Sequence, residues 1–174
     1  MEIRKAVTAD FDGIEQIYER IHDGEEQGLS TIGWIRGVYP TRATAAAAFE
    51  RGDLFVMTDD GKVTASAVIN QIPVPEYKDA HWQHAAADDE VMVLHCLTVD
   101  PLIKGKGYGR AFVTYYEEYA RQHGCPALRM DTNVRNTRAR RLYQMLGYDE
   151  VGIVSCVFNG IPNVQLVCLE KYLG

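Results

Sequence analysis

A glycine-rich turn follows an apolar strand in the middle of the chain, and its residues can bind an anion. Glycine lacks a Cβ and accepts positive φ, so successive N–H groups in such a turn can converge on one phosphate. The helix that we predict from about Gly107 to His123 presents its unpaired amides and positive dipole end to the same place. The turn consists of Lys104, Gly105, Lys106, Gly107, Tyr108, Gly109 and Arg110. We therefore expect a phosphate-bearing ligand here.

The spacing of these glycines does not match the two common nucleotide motifs. A Walker loop needs Ser or Thr directly after its lysine, and neither Lys104 nor Lys106 has one. A dinucleotide fingerprint, Gly-x-Gly-x-x-Gly, is interrupted by Arg110 or Phe112. The pattern that remains is Lys104-x-x-Gly107-x-Gly109, preceded by Leu97-x-Val99-x-Pro101.

A second pattern lies downstream, where residues 136–148 read Asn-x-x-Ala-x-x-Leu-Tyr-x-x-x-Gly-Tyr. The first pattern resembles the Arg/Gln-x-x-Gly-x-Gly/Ala signature of the GNAT family of acetyltransferases. The second resembles the other conserved block of that family. This resemblance implies that acetyl-CoA is the co-substrate and that the turn holds its pyrophosphate.

The resemblance also implies the fold, an α/β (α+β) GNAT fold in a single domain over residues 1–174. In that fold a central mixed, mostly antiparallel seven-stranded sheet is flanked by about four helices and is splayed in the middle. Periodicity and turn signals predict the matching element order, β-α-α-β-β-β-α-β-α-β-β. Residues 59–62 predict a hairpin turn, residues 24–38 a helix or helical turn, and residues 72–90 a loop before the strand Val91 to Val99.

Positions in the two patterns carry implied roles. The backbone groups of Leu97 and Val99 are expected to hold the pantetheine and the thioester carbonyl. Tyr143 occupies the position at which members of the family have a tyrosine that donates a hydrogen bond to the leaving thiolate. The alternative is that the Tyr143 ring only packs on the core. Asn136 is expected to contact CoA, and capping of the following helix is compatible with that role.

The sequence leaves the general base open. Many members of the family carry a glutamate where this chain has Val93, which cannot accept a proton. His95, expected on the same strand face as Val93 and Leu97, is one candidate, and a hydrogen-bonded core histidine is its alternative. Glu90, at the mouth of the strand, is the reserve candidate.

Two segments are expected to line the acceptor side of such a fold, and their carboxylates and aromatic rings suit a cation. Solvated charges and loop-anchoring rings are the other interpretation. His81-x-x-His84 has the spacing of metal ligands but lacks a third ligand, so we predict an exposed pair and no metal site. The acceptor-side candidates are Glu25, Glu26, Trp34, Tyr39, Tyr77 and Trp82.

Composition limits the class of protein. The 174 residues are 47% hydrophobic, which suits one domain with a sizeable core, and the formal charge of −6 argues against a nucleic-acid binder. Four cysteines without a Cys-x-x-Cys pair are expected as buried thiols in a reducing compartment. No apolar run approaches the roughly 20 residues of a membrane span. We expect a cytoplasmic protein that binds neither nucleic acid nor membrane.

Two functions are compatible with these residues. The first is an N-acetyltransferase that transfers the acetyl group of acetyl-CoA to a primary amine, of a small molecule or a protein, by direct attack in a ternary complex. The alternative, motivated by the missing glutamate, is a protein that binds or senses CoA or acetyl-CoA with weak or no turnover. The acceptor stays unnamed, and the terminal strands fit either a monomer or a homodimer in which they pair.

Overall fold

The computed structural model describes residues 1–103 and 105–174, and Lys104 lies outside this range. The described residues form one seven-stranded sheet and four α-helices. The strands are β1 (Glu2–Lys5), β2 (Leu54–Asp59), β3 (Lys62–Asn70), β4 (Val91–Val99), β5 (Ala127–Asn133), β6 (Asp149–Phe158) and β7 (Ile161–Tyr172). The helices are α1 (Phe11–Glu26), α2 (Arg42–Arg51), α3 (Tyr108–Gln122) and α4 (Thr137–Met145).

The sheet is mixed, with strand order β1-β2-β3-β4-β5-β7-β6. Only the central β4–β5 pair is parallel among the pairs that the structure describes, and the others are antiparallel. The crossover through α3 connects the two parallel strands, as a parallel pair requires. This arrangement confirms the predicted mixed, mostly antiparallel sheet.

The splay lies between β4 and β5. These strands pair only from Val91 opposite Ala127 to Leu94 opposite Met130. Just beyond this paired region the β3–β4 register shifts, and Cys96 adopts a φ of 49°. A bulge of this kind bends the strand that carries it. The carboxyl-terminal half of β4 therefore separates from β5 and leaves a gap in the middle of the sheet.

Helices cover both faces of the sheet. Apolar residues recur every three or four positions in α1, and this stripe packs with α2 against β2 and β3. The stripe of α3, with Phe112 and Tyr116 completely buried, packs with α4 against the opposite face. The gap between β4 and β5 is thus reached from the α1/α2 face and from the α3/α4 face.

Most predicted elements are present, and the segment after α1 is the main difference. Residues 24–38 were expected to form a helix or helical turn, but α1 ends at Glu26 and the chain then runs irregularly to a single bridge between Ile35 and Tyr39. Gly28, with a φ of 68°, marks the end of the helix. The loop 72–90 contains short 3-10 turns at Pro75–Asp79 and Asp88–Glu90.

Within the described ranges no helix is both long and apolar enough to cross a membrane. The four cysteines carry free thiols. Cys125 and Cys168 are buried, whereas Cys96 and Cys156 are partly buried.

Candidate active site

The open half of β4 directs backbone groups into the gap. The amide of Asp100 donates to the carbonyl of Thr64 on β3 at 2.9 Å, and Thr98 stands in register with Ser66. Because successive residues of a strand present their backbone groups to opposite sides, Leu97 and Val99 direct theirs toward β5. Their side chains pack on the core under α3 and α4. The implied contacts of these backbone groups with the pantetheine and the thioester carbonyl stay predictions. The groups face the gap, as those contacts require.

The glycine-rich turn lies at the start of α3 and has the shape of an anion cradle. Gly105 and Gly107 have φ angles of 76° and 71°. A Cβ on either would meet no described atom within 4 Å, so the outer side of the turn is open. The first intrahelical bond runs from Ala111 to the carbonyl of Gly107. The amides of residues 108–110 therefore precede the helical ladder and can bind a pyrophosphate.

Gly109 and Tyr108 also make packing and hydrogen-bond contacts that the sequence did not predict. A Cβ on Gly109 would lie 3.2 Å from Leu142 Cδ2 and 3.9 Å from Val99 Cγ2, so this glycine lets α3, α4 and β4 approach one another. The buried Tyr108 donates its hydroxyl to Asp59 at the end of β2.

Of the basic residues that the structure describes in the turn, Lys106 has an acidic partner. The ammonium of Lys106 lies 3.5 Å from the Asp59 carboxylate, which also pairs with the N-terminus. Part of the Lys106 charge is therefore already neutralised. Arg110 is exposed. The predicted binding role of Lys104 concerns a residue outside the described ranges.

The second pattern forms α4, and Asn136 is its N-cap. The Asn136 side chain accepts from the amide of Ala139 at 3.2 Å and donates to Thr132 Oγ1 at 3.1 Å. This is the capping arrangement that was compatible with a CoA contact. Tyr143 is buried on the same side, with its ring edge-on to Tyr148 at 6.1 Å. Burial, followed by the nearby charge of Asp131, raises the pKa of Tyr143, so this phenol stays protonated.

The structure supports the alternative interpretation of His95. Its Nε2 lies 3.0 Å from Oδ1 of Asn70, whose amide donates to Asp53 at 2.8 Å. The ring therefore bonds on the β3 side of β4, whereas the gap opens on the β5 side. Burial lowers the pKa of His95 to about 4. The prediction that Val93, His95 and Leu97 share one face of the strand is also wrong. Val93 packs under the 72–90 loop and Leu97 packs under α3, because the Cys96 bulge interrupts the alternation of side chains between the two faces.

Glu90 is at the wrong end of β4 for a base. It closes the 3-10 turn before the strand, is exposed, and accepts from the amide of Ala87 at 2.9 Å. At about 3.3 Å per strand residue, it lies roughly 20 Å from Leu97. The reserve candidate is therefore rejected on geometry.

Asp131 is the carboxylate that the structure brings to the gap and that the sequence reasoning missed. It is the first β5 residue beyond the pairing with β4, and it accepts from the Tyr77 hydroxyl at 2.8 Å. Burial raises the pKa of Asp131 to about 7, the Tyr77 hydrogen bond lowers it, and Glu76 raises it. An acidic residue ending the apolar segment 127–131 was the available signal.

Aromatic side chains and a thiol surround Asp131 on the α1/α2 face. Tyr39 faces Cys96 at the bulge, and the charge of Asp131 contributes to the raised pKa of both. Burial raises the pKa of Cys96 to about 11, so its thiol is not a ready nucleophile. We call the cluster of Asp131, Tyr39, Tyr77 and Cys96 the acceptor slot. A cavity of about 120 Å³ lies near Asn133, two residues further along β5, and none of these four residues lines it.

Other acceptor-side candidates hold the loops in place. The Glu25 carboxylate accepts from Ser30 Oγ at 2.7 Å and from the amides of Ile32 and Gly33 at 2.5 and 2.8 Å. Glu26 pairs with Arg36 at 2.8 Å. Neither carboxylate is therefore free for a cation.

The rings of the two loops pack closely. Trp34 lies edge-on to Tyr39 at 5.8 Å, and Trp82 lies edge-on to Tyr77 at 5.0 Å. These pairs fit the interpretation that the aromatic residues anchor the loops. Tyr39 and Tyr77 of the slot each pack against a second ring.

The histidine pair does not form a joint site. His84 Nδ1 lies 3.2 Å from the buried Glu170, and its ring stacks on Tyr172, whereas His81 is exposed. Across residues 1–103 and 105–174, no three His, Cys, Asp or Glu side chains are grouped to hold a metal ion.

Solved structures share this fold. A GNAT acetyltransferase from Streptococcus agalactiae superposes with a TM-score of 0.81 at 22% identity, covering 98% of this chain and 94% of that one. The ribosomal-protein-S18-alanine N-acetyltransferase of Escherichia coli gives 0.69 at 19% identity, over 99% and 94%. The yncA protein of Salmonella typhimurium, solved with acetyl-CoA, gives 0.71 at 20% identity, over 100% and 94%.

Sequence relatives match over shorter regions. An uncharacterized N-acetyltransferase of Methanocaldococcus jannaschii is 32% identical over 76 residues, which are 44% of this chain and 34% of the relative. One of Bacillus subtilis is 35% identical over 60 residues, 34% of this chain and 40% of the relative. The matches thus span less than half of each relative. The sequence model of the acetyltransferase (GNAT) family, by contrast, matches residues 14–148, and this chain belongs to that family.

Proposed function

We propose that this protein transfers the acetyl group of acetyl-CoA to a primary amine by direct attack in a ternary complex. The observation that carries the proposal is the pair of Asp131 and Tyr143, which flank the gap from its two faces. The open cradle at the start of α3 lies on the same side of the sheet as Tyr143. Similarity to a protein solved with acetyl-CoA and to named N-acetyltransferases supports this choice of donor.

In this mechanism the amides of the glycine-rich turn bind the pyrophosphate, and the thioester lies in the gap beside the free backbone groups of Leu97 and Val99. The ammonium of the acceptor enters the slot and gives one proton to Asp131. The amine lone pair then attacks the carbonyl carbon, a C–N bond forms and the C–S bond breaks. Tyr143 donates a hydrogen bond to the leaving thiolate. A second proton leaves the nitrogen and is balanced by protonation of the thiolate.

The pKa values favour Asp131 over His95 as the base. An alkylammonium has a pKa of about 10.4, so transfer to a group near 7 costs about 5 kcal/mol, whereas transfer to one near 4 costs about 9 kcal/mol. A base near neutrality is also the better match to a working pH around 7. Asp131 thus supplies the carboxylate whose absence motivated the alternative function.

Thiol release from acetyl-CoA, measured over a panel of primary amines, tests the proposal. We expect Asp131→Asn to lower kcat/KM by at least about 100-fold and Tyr143→Phe to lower it by about tenfold or more. His95→Gln, which retains a donor toward Asn70, is the matched control and should stay within about threefold. Circular dichroism and CoA binding verify that each variant is folded.

The alternative function, CoA binding or sensing without turnover, predicts a different result. The wild-type protein would bind acetyl-CoA yet release no thiol above the hydrolysis rate with any amine. That outcome would contradict the proposed transferase.

A further inference from the structure

The cavity of about 120 Å³ near Asn133 is built by three segments of the chain. Its walls come from the loop after α1 at Gly33, from the end of β5 at Asn133 and Arg135, and from the start of β7, residues 161–165. A cavity of roughly 150 Å³ holds a benzene molecule. This cavity therefore has room for a carboxylate group and the methylenes next to it.

Two nitrogen donors meet in the cavity beside Gly33. The backbone amide of Arg135 donates to Asn133 Oδ1 at 3.0 Å, which leaves Asn133 Nδ2 as the group directed elsewhere. A Cβ on Gly33 would overlap Asn133 Nδ2 and would lie 3.0 Å from Arg135 Nη2. The side-chain amide and the guanidinium therefore approach the same point, and a glycine at position 33 gives them the space.

The Arg135 guanidinium is available to an anion. The side chain is exposed, and within the part of the chain that the structure describes no carboxylate pairs with it. Arg129, on the same strand β5, is by contrast paired with Glu170 at 3.4 Å. The Thr31 hydroxyl donates to the carbonyl of Arg135 at 2.9 Å, which joins the loop after α1 to this residue. A planar guanidinium with an amide beside it suits the two oxygens of a carboxylate.

The position of the cavity relative to Asp131 is set by the strand. Asn133 is two residues beyond Asp131 on β5, so the two side chains lie on one face of the sheet about 6.6 Å apart. Tyr39 of the acceptor slot packs against the apolar cluster that contains Ile161 and Val164, and both of these line the cavity. A carboxylate that accepts a proton and a pair of anion-binding donors therefore lie a few bond lengths apart.

We propose that this cavity binds the carboxylate of an acceptor whose amine is seated at Asp131. The inference rests on the proposed function and names the acceptor class, zwitterions in which about five bonds separate the amine nitrogen from the carboxyl carbon. An extended chain advances roughly 1.25 Å per bond, so five bonds span about 6.3 Å. 5-Aminopentanoate and glycylglycine have this span. The carboxyl carbon of a free α-amino acid is two bonds from its nitrogen and does not reach both groups.

Matched amines test the subsite on the full-length protein. Thiol release from acetyl-CoA is measured with 5-aminopentanoate, with its neutral amide 5-aminopentanamide and with pentylamine. We expect kcat/KM for 5-aminopentanoate to exceed the other two values by at least about tenfold, because only its carboxylate makes charge-assisted hydrogen bonds. Glycine and 3-aminopropanoate, which are too short, should react no better than pentylamine. Equal use of 5-aminopentanoate, its amide and pentylamine would overturn the proposal.

Variants of the two donors test their role. Arg135→Gln should lower kcat/KM for 5-aminopentanoate about tenfold and leave that for pentylamine within about twofold, since pentylamine has no carboxylate. Asn133→Asp keeps an acceptor for the Arg135 amide but replaces the Nδ2 donor with a negative oxygen, so it should narrow the same ratio. Arg138→Gln removes an exposed arginine outside the cavity and is the matched control. A ratio that Arg135→Gln leaves unchanged would refute the assignment.

The two proposals fail in different ways. If neither pentylamine nor any amino acid of the series releases thiol from the wild-type protein, the proposed transferase fails and the acceptor assignment fails with it. If pentylamine reacts as well as 5-aminopentanoate, only the inference about the cavity fails.

Discussion

In the proposed mechanism the proton chemistry at the gap depends on one residue, Asp131, and the environment of Asp131 sets its strength as a base. Burial makes the carboxylate costly, the Tyr77 hydroxyl stabilises it, and the neighbouring Glu76 opposes it. The result is a group that titrates near neutrality. A carboxylate with an ordinary pKa near 3.9 would be a much weaker acceptor for an ammonium proton.

The pH dependence of turnover follows from this value. We expect kcat/KM to rise with pH to an inflection near 7, as Asp131 loses its proton, and then to stay level while the amine is still an ammonium. Initial rates between pH 5.5 and 9 measure the profile.

Two variants separate Asp131 from other titrating groups. Tyr143→Phe should lower the plateau without moving the inflection. Tyr77→Phe should move the inflection to higher pH, because it removes the hydrogen bond that favours the charged carboxylate. An inflection that remains in Asp131→Asn would assign the titration elsewhere.

At the residue scale the sequence predicted local backbone features better than the environment of a candidate base. Gly107 and Asn136 belong to patterns in which each residue meets a local backbone requirement, so their places could be foreseen. The candidate base could not be foreseen, because the strand with the Cys96 bulge directs His95 toward Asn70 on β3, whereas Asp131 lies on β5 just beyond its pairing with β4. A register shift of one residue changes every facing side chain beyond it, and no local signal announces it.

At the element scale, the loop after α1 contributes Tyr39 to the acceptor slot. The loop has no regular structure, and its position depends on Glu25, which accepts three hydrogen bonds within eight residues of chain. Thr31 adds a bond to the carbonyl of Arg135 at 2.9 Å, which joins the loop to the end of β5. Propensity alone predicted a helix here, because these tertiary bonds are invisible in the sequence.

Removal of the Glu25 anchor should loosen the slot and leave the CoA cradle intact. We expect Glu25→Ala to raise KM for the amine by about five- to tenfold, since three hydrogen bonds to a charged acceptor are lost. The dissociation constant of acetyl-CoA should change less than twofold, because the glycine-rich turn lies on the other face. Steady-state kinetics and calorimetry measure the two quantities.

Glu26→Ala is the matched control for this prediction. Glu26 is the next residue, is exposed, and shares its partner Arg36 with Glu19 and Asp23. Surface ion pairs contribute little, so both constants should stay near wild type. Equal effects of the two substitutions would show that the loop does not depend on Glu25.

At the scale of the whole molecule, the mixed seven-stranded sheet and its flanking helices were predictable, and the association state was not. Alternating strands and amphipathic helices in α1 and α3 specify which faces are buried, and one sheet with helices on both faces satisfies them. The outer edge gives a different signal. β6 is the last strand of the sheet, and Ile153 and Val157 on it are 56% and 64% exposed.

The apolar edge strand favours a homodimer over a monomer. An unpaired edge carrying exposed apolar side chains is a template for a second strand, so we expect light scattering to give twice the chain mass. The double variant Ile153→Lys, Val157→Lys should give the single mass and keep its thiol-release activity per chain. A wild-type protein of single mass at micromolar concentration would contradict the pairing.

The raised pKa of Asp131 also has a consequence for global stability. Since the folded pKa of Asp131, about 7, lies above its unfolded value near 3.8, the folded state favours the protonated carboxyl. The stabilisation is complete below the unfolded pKa and is lost as pH rises through about 7. We expect Asp131→Asn to gain roughly 3 kcal/mol in unfolding free energy, relative to wild type, between pH 5 and pH 8. Denaturant unfolding at the two pH values measures this difference.

Carboxylates that pair with arginine have lowered pKa values, so their contribution to stability changes with pH in the opposite direction. They serve as a check on the Asp131 prediction. The pKa of Asp10 is lowered by its hydrogen bond to Arg4, and that of Glu150 by its bond to Arg140. The stabilisation from these carboxylates is present above their unfolded pKa and is lost only in acid, so Glu150→Gln should show no gain in unfolding free energy between pH 5 and pH 8.

An Asp131→Asn variant that is inactive yet more stable at pH 8 would mean that the fold is weakened at the position that the reaction needs. A flat difference would instead place the Asp131 carboxyl in solvent, where it could not hold a proton near neutrality.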